Sequence, residues 1–296
     1  MFPEILEFPT NSVERPNQVL STDYDYYTKA FEQALPDYAR QELGYGYVED
    51  HPILFYTPKN PNRANKNLLV TGGYHGEEPG GPWAILRFIT DHKALLASAN
   101  ISFLPIVNIW GFMNHKRMSP KGKSMNYLVN EKTDDTFIKD LPKELECLKE
   151  NINTIAERST DGVIAMHEDN TSQGFYLYLY GDRANNDRLV KALKKAGTII
   201  FDFKKSGTYS DNGQYELVDG LVDNNYDGTT EYALFKRYGA KRAITCETPA
   251  KDANIMDRIQ TGAGVIKAFV ETLTSTFGRT DLMTLHMSYR ITALCR

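Results

Sequence analysis

A histidine and a glutamate three residues apart follow a short apolar run in the first third of the chain. Leu68–Val70 predict a buried strand, and Gly72 and Gly73 then allow a sharp turn before His75 and Glu78. An imidazole and a carboxylate at the mouth of such a turn can bind one metal ion, and a set that leaves a coordination position open is typical of catalytic zinc. By itself the spacing also fits a polar loop between a strand and a helix, which is the simpler interpretation.

Three further polar side chains, Asn108, His167 and Glu247, directly follow apolar runs that predict strands. Ligands of open α/β sheets bind at the carboxyl ends of the strands, so four strand ends would bring these groups and the His-x-x-Glu pair to one rim. A histidine in such a position is commonly a hydrogen-bonded structural residue. A carboxylate at the exit of a buried strand needs a partner, because burying an unpaired charge is costly.

Strands and helices are predicted to alternate along almost the whole chain, with no internal repeat. We therefore expect one α/β domain, with a central mixed, largely parallel twisted sheet flanked by helices on both faces. Residues 1–22 are expected to be irregular, residues 23–276 to form the domain, and residues 277–296 are left unassigned. The predicted strands are 53–56, 67–71, 101–107, 163–166, 175–180, 198–203 and 243–246, the predicted helices are 23–42, 79–97, 141–158, 183–196, 229–238 and 251–274, and the predicted loops are 108–134 and 206–228.

Composition excludes several classes of protein. The chain has 296 residues, a formal net charge of −4 and 41% hydrophobic residues, which suffice for a sizeable core. The mild acidity argues against a general binder of nucleic acid or anionic membranes, and no run approaches the roughly 18 apolar residues of a membrane span. Cys147, Cys246 and Cys295 are odd in number and widely spaced, which favours free thiols in a reducing compartment. Without a signal-peptide pattern, we expect a soluble cytoplasmic protein.

The order of these motifs resembles the zinc metallocarboxypeptidase superfamily, which includes carboxypeptidase A-like enzymes, murein-peptide amidases and aspartoacylase-type deacylases. The resemblance covers about residues 50–275 and rests on His75-Gly-Glu-Glu78, a single histidine after a strand, and Ile244-Thr-Cys-Glu247-Thr-Pro. It implies a zinc carboxypeptidase-like catalytic domain with one Zn²⁺ per chain. By position, His75, Glu78 and His167 would bind the zinc, and Glu247 would be the general base and acid.

The resemblance also implies residues that contact the substrate. The segment 105–111 resembles the family's strand ending in Asn-Pro-x-Gly, with Ile109 in place of the proline. Downstream, Arg117 matches the arginine that polarises the scissile carbonyl and stabilises the oxyanion. Asn126 matches the asparagine of an Asn-Arg pair that binds a terminal carboxylate, and Tyr226 resembles the mobile tyrosine that closes over the substrate.

One position departs from the family pattern, because Tyr127 stands where the arginine of that pair is expected. A planar guanidinium is the natural partner of a carboxylate, so ordinary C-terminal exopeptidase specificity is disfavoured. Lys121, Lys123 or Arg117 could supply the charge instead, although a solvated basic loop is an equal interpretation. Two acids directly follow His167, and each either orients a ligand imidazole or caps a helix or turn.

Three functions are compatible with these residues. The first is a metallopeptidase acting on a small peptide, because Ile-Thr-x-Glu-x-Pro is most similar to the murein-peptide amidase branch. Glu247 would deprotonate a zinc-activated water that attacks an amide carbonyl, with Arg117 stabilising the oxyanion. The second is an aspartoacylase-like N-acyl amino acid deacylase, although such enzymes usually carry an extra C-terminal β-domain and only about 20 residues follow the last predicted helix. The third is a non-catalytic ligand-binding module, against which the presence of Glu247 argues.

Overall fold

Ten strands and eight α-helices make up the part of the chain that the computed structural model describes, residues 21–130, 136–209, 215–223 and 227–275. The strands are β1 (Tyr38–Tyr45), β2 (Pro52–Pro58), β3 (Asn67–Gly72), β4 (Asn100–Leu104), β5 (Gly162–Asp169), β6 (Tyr176–Tyr180), β7 (Gly207–Tyr209), β8 (Tyr215–Val218), β9 (Leu221–Val222) and β10 (Ala243–Pro249). The helices are α1 (Tyr24–Ala34), α2 (Gly80–Asp91), α3 (Ile109–Asn114), α4 (Lys143–Glu150), α5 (Ile152–Glu157), α6 (Arg183–Gly197), α7 (Thr230–Lys236) and α8 (Ile255–Thr274), with a 3₁₀ turn at Lys93–Ala97.

All ten strands join one mixed sheet in the order β1-β2-β4-β3-β5-β10-β6-β9-β8-β7. The four central neighbours β4, β3, β5 and β10 run parallel. Outside this centre the pairs are antiparallel except for β6 with β9. The predicted α/β sheet is therefore confirmed, with its parallel part concentrated where strands are covered on both faces.

The central strands are apolar because both of their faces are covered by other elements. Leu68 to Val70 of β3 are at most 1% exposed, as are Val163 to Met166 of β5. Helix α8 packs on α2 and α6, whereas α7 packs on β5, β6 and β10. In α8, Asn254 caps the first turn through the Met256 N–H, and Ile259, Ile266 and Phe269 share the buried face, as their spacing predicts.

Several predicted elements are wrong in extent or type. The helix predicted over 23–42 ends at Ala34, before Pro36, and the following residues form the edge strand β1. The strand predicted over 198–203 is absent, because Ile199 is 75% exposed and only Phe203 makes a bridge, to Phe175. The predicted loop at 206–228 contains β7, β8 and β9, whose two to four residues are too short to show a period.

The remaining differences are smaller. The helix predicted over 141–158 divides at Asn151 into α4 and α5, and the loop predicted over 108–134 contains α3. Cys147 and Cys246 are buried free thiols, whereas Cys295 lies outside the described residues. The predicted domain boundaries at residues 22/23 and 276/277 stay predictions, because residues 1–20 and 276–296 lie outside the described residues. Within the described ranges, no helix has the length and apolar character needed to span a membrane.

Candidate metal centre

The turn between β3 and α2 places His75 and Glu78 and is fixed by its neighbours. Gly73 has a positive φ of 63°, and its carbonyl accepts a hydrogen bond of 2.8 Å from the Asn108 N–H. Gly76 lies so close to α3 that a Cβ there would be 1.8 Å from the carbonyl carbon of Gly111. Gly73, one of the two glycines predicted to make a sharp turn, has the positive φ, whereas Gly76, which was not predicted, allows two backbone segments to meet.

Three predicted ligands converge at this turn. Nδ1 of His75 lies 2.6 Å from Glu78 Oε1, and Nδ1 of His167 lies 3.0 Å from Glu78 Oε2. One donor atom from each residue lies within 4.8 Å of the others, and each residue is at most 4% exposed. Two imidazole nitrogens and a carboxylate that share one buried point are the donors that zinc prefers. The residues present therefore fit a metal ion of this kind.

Strand register places Glu247 beside this group. His167 pairs with Glu247 on the parallel strands β5 and β10, and Glu247 pairs with Tyr176 on β6. Paired residues of neighbouring strands point to the same face, so the three side chains form a row across the sheet. His167 and Glu247 were expected just beyond their strands, but β5 continues to Asp169 and β10 to Pro249.

The charges of this group are strongly coupled. Burial alone would raise the pKa of Glu78, but His75 and His167 hold it well below its usual range. Burial lowers the pKa of His75. For His167, burial also acts downward, but the hydrogen bond and charge of Glu78 raise the pKa to about 9. A proton on His167 thus occupies the place that a metal cation would take.

Glu247 is half-buried and accepts no hydrogen bond from any described residue. Desolvation raises its pKa well above the usual carboxyl range, against the attraction of His167 and with a further rise from the Glu78 carboxylate. A carboxyl group with a raised pKa beside a metal-type donor set can act as a general base.

Arg117 lies at the same centre, at the end of a loop that Asn108 holds. Its Nη1 is 2.9 Å from Glu78 Oε1 and 3.4 Å from Glu77 Oε1, and 40% of the side chain is exposed. Asn108 accepts from the Gly111 N–H at the start of α3 and donates to the Arg117 carbonyl. The predicted Arg117 is therefore brought to the ligands, and Asn108 is a backbone anchor.

The other predicted substrate residues are not assembled in this way. Asn126 is half-buried, its N–H donates weakly to Ser124 at 3.4 Å, and no hydrogen bond joins its side chain to the described ligands. Tyr226 lies outside the described residues. Tyr127 makes an antiparallel bridge with Thr229. Lys123 forms an ion pair with Asp140, and Lys121 is exposed, so of the three cations considered for the missing arginine only Arg117 contacts the ligands.

The two acids after His167 have different roles. Glu168 accepts from the Gly80 N–H at the start of α2 and pairs with Arg258 at 2.6 Å, so its side chain caps a helix. Its backbone N–H donates to Glu78 Oε2 at 3.2 Å. Asp169 instead pairs with Lys204 at 2.9 Å. The local sequence indicated an acid of uncertain use at 169 but gave no signal for Lys204.

Two other residues around His167 were missed from sequence. The ring of Tyr74 stacks on His167 with centroids 5.5 Å apart and planes 8° apart. Glu231, in the first turn of α7, is 1% exposed, and burial raises its pKa while the charge of His167 opposes the rise. Tyr74 follows the glycine pair and could have been suspected, whereas Glu231 lies in an ordinary helical pattern.

Comparisons with known proteins identify the family of the chain and its fold. The family model of the succinylglutamate desuccinylase/aspartoacylase catalytic domain matches residues 64–218, more than half of the chain. None of the curated proteins matches. A candidate metallopeptidase from Shewanella amazonensis SB2B is 26% identical, with a TM-score of 0.78 over 86% of this chain and 95% of that chain.

Two further solved structures have the same fold. A candidate metallopeptidase from Shewanella baltica OS155 is 25% identical, with a TM-score of 0.77 over 86% of this chain and 94% of that chain. A metallo-carboxypeptidase from Pseudomonas aeruginosa is 14% identical, with a TM-score of 0.61 over 88% of this chain and 71% of that chain, and shows the fold alone.

Proposed function

The chain belongs to the succinylglutamate desuccinylase/aspartoacylase family, within the metallocarboxypeptidase-type hydrolases, and we propose that it is a zinc-dependent enzyme that cleaves an amide bond of a small peptide. The observation that carries the proposal is the meeting of His75, Glu78 and His167 around one buried point, with Glu247 next to His167 in the sheet. When bound there, zinc would supply Lewis acidity, polarising a carbonyl and lowering the pKa of water toward about 7.

The residues around the ligands have distinct tasks in this proposal. Glu247 accepts the proton of the attacking water and delivers it to the leaving amine, for which its raised pKa suits it. Arg117, whose guanidinium lies at the exposed side of the ligands, donates to the carbonyl oxygen as negative charge develops. Tyr74 and the Glu168 N–H keep the donors in place, through ring stacking on His167 and a hydrogen bond to Glu78.

A second candidate, removal of an acyl group from an N-acyl amino acid, is favoured by the family match itself. The chemistry is the same hydrolysis of an amide, and the two candidates differ only in what flanks the bond. Tyr127 in place of an arginine favours neither, because each class of substrate carries a carboxylate that needs a cation.

Metal analysis of purified protein is the primary test, with His115→Asn as the matched control. His115 is exposed, has a positive φ of 52° that asparagine tolerates, and lies outside the ligand group. We expect one zinc per chain in the wild type and in His115→Asn, and none in His167→Ala. Wild-type protein that cannot be loaded with zinc would refute the proposal.

A substrate screen with Glu247→Gln tests the chemistry separately. Short peptides and N-acetyl and N-succinyl amino acids are offered to zinc-loaded wild type and to Glu247→Gln. The variant should keep its zinc and lose about 10²- to 10⁴-fold in kcat, since proton transfer by a positioned side chain contributes that much. Unchanged turnover in the variant would show that Glu247 is not the base.

A further inference from the structure

Glu168 directly follows the predicted ligand His167 in β5, and its side chain is buried against the start of α2. Its Oε2 accepts a hydrogen bond of 2.7 Å from the Gly80 N–H. Only a glycine at position 80 permits this approach, because a Cβ there would lie 2.2 Å from Glu168 Oε1. The carboxylate is therefore bound by the first turn of α2, where the helix dipole favours a negative charge.

Arg258, in the first turn of α8, supplies the opposite charge. Its Nε lies 2.6 Å from Glu168 Oε1, and the two side chains are 13% and 0% exposed. Helix α8 packs closely on α2, because a Cβ at Gly262 would lie 2.6 Å from the Cβ of Ala84. A buried carboxylate needs such a partner, since an unpaired charge in the interior is unfavourable. The two carboxylate oxygens of Glu168 are thus held by two different helices.

The backbone of the same residue contacts the predicted metal ligands. The Glu168 N–H donates to Glu78 Oε2 at 3.2 Å, and His167 Nδ1 lies 3.0 Å from the same oxygen. The carbonyl of the peptide group between His167 and Glu168 accepts from the Thr248 hydroxyl at 3.1 Å. One peptide group therefore belongs to one ligand, His167, and orients the carboxylate of another, Glu78.

We propose that Arg258 is a positioning residue for the metal centre and acts on Glu78 through the side chain and the N–H of Glu168. The inference deepens the proposed function and rests on the metal site that it assigns to His75, Glu78 and His167. A rotation of the Glu168 peptide would also move its side chain, which the ion pair with Arg258 and the hydrogen bond from α2 resist. Outer partners that orient ligands in this way typically change metal affinity by about 10- to 100-fold.

The zinc affinity of the full-length protein tests this role. Zinc is titrated into metal-free wild type, Arg258→Met and Arg258→Lys in competition with a chromophoric chelator, at a temperature where every variant is folded. Lys267→Met is the matched control, because it removes an exposed ion pair, with Glu271, from the same helix. We expect about 10- to 100-fold weaker binding in Arg258→Met, partial recovery in Arg258→Lys because the cation is retained, and no change in the control.

A double variant separates positioning from a general loss of stability. Arg258→Met leaves the Glu168 carboxylate unpaired, so its unfolding temperature should fall, whereas Arg258→Met with Glu168→Gln removes both charges and should recover that temperature. Zinc affinity should stay low in the double variant, because α8 no longer holds the side chain at 168. The visible absorption of the Co²⁺-loaded protein, which depends on ligand geometry, should differ from wild type in both variants and not in Lys267→Met.

Two results would overturn the inference. One is a zinc affinity of folded Arg258→Met within about twofold of the wild type, against the 10-fold or larger loss expected. The other is an affinity that recovers together with stability in the double variant. If Arg258→Met does not fold, the double variant and Arg258→Lys give the same decision, because each avoids an unpaired buried carboxylate.

Failure of the proposed function is distinguishable from failure of this inference. Wild type that binds neither zinc nor cobalt would refute the metal centre and, with it, the role of Arg258. Wild type that binds zinc no better than Arg258→Met would overturn the inference alone. If wild type binds zinc but cleaves no amide, the proposed catalysis fails, and a weaker affinity of Arg258→Met still supports the positioning role.

Discussion

Binding of zinc to the metal-free protein should release about one proton per ion near pH 6. In the metal-free state His167 has a pKa of about 9 and is protonated, because the hydrogen bond and negative charge of the Glu78 carboxylate stabilise the protonated imidazole. The pKa of His75 is lowered by burial and that of Glu78 is lowered by the two histidines, so of the three ligands His167 holds its proton most strongly. A metal ligand must be unprotonated, so the released proton comes from His167.

The size of the effect follows from the same pKa. At pH 7, two units below the His167 pKa of about 9, the protonated imidazole outnumbers the neutral form by about 100 to 1. Displacing that proton weakens the apparent zinc affinity by about 3 kcal/mol, since one pKa unit corresponds to about 1.36 kcal/mol. Because metal and proton compete, the affinity should rise about tenfold per pH unit and level off above about pH 9.

Isothermal titration calorimetry can count the proton. Zinc is titrated near pH 6 into metal-free protein in buffers with different ionisation enthalpies, and the slope of the observed enthalpy gives the protons released. The choice of pH matters, because a water whose pKa falls to about 7 keeps its proton there and does not add to the count. His115→Asn, which leaves the ligand group intact, should release the same number.

No proton release, together with a zinc affinity that is constant between about pH 6 and pH 8, would refute this reasoning. It would show that His167 is neutral before the metal binds. The Glu78 carboxylate would then not stabilise a proton on His167 in the metal-free protein, although the three residues could still bind zinc.

Two further predictions concern stability. Gly264→Ala should raise the free energy of unfolding by about 1 kcal/mol, because the added Cβ meets no atom within 4 Å and alanine favours the helix α8. Gly262→Ala should lower the free energy of unfolding by about 1 to 3 kcal/mol, because the added Cβ would lie 2.6 Å from the Cβ of Ala84. Denaturant unfolding of the two variants tests this, and equal effects would contradict the packing argument. Glu144 is fully buried, accepts from the Tyr47 N–H, and burial raises its pKa. Its contribution to stability is therefore present at low pH and lost as pH rises through the raised pKa, so Glu144→Gln should stabilise the protein near pH 8 and not near pH 4 in unfolding titrations.

Local patterns in the sequence were sufficient for the elements that form the centre of the sheet. Leu68 to Val70 and Val163 to Met166 are continuous apolar runs, as expected for parallel strands covered on both faces. The same patterns failed at the margins. Strand β1 is exposed on much of its length, so its residues do not show the apolar pattern of a buried strand. Ile199 is apolar yet exposed, so residue type does not indicate burial there.

The sequence by itself determined which residues could bind a metal, since His75 and Glu78 are held together by three residues of chain and a glycine turn. Only the tertiary structure decided that His167, 89 residues from Glu78, shares its carboxylate, and that Glu247 stands next to His167. Strand order and register are set by contacts summed over the whole core, and those contacts join residues far apart in the chain, where no local spacing records them.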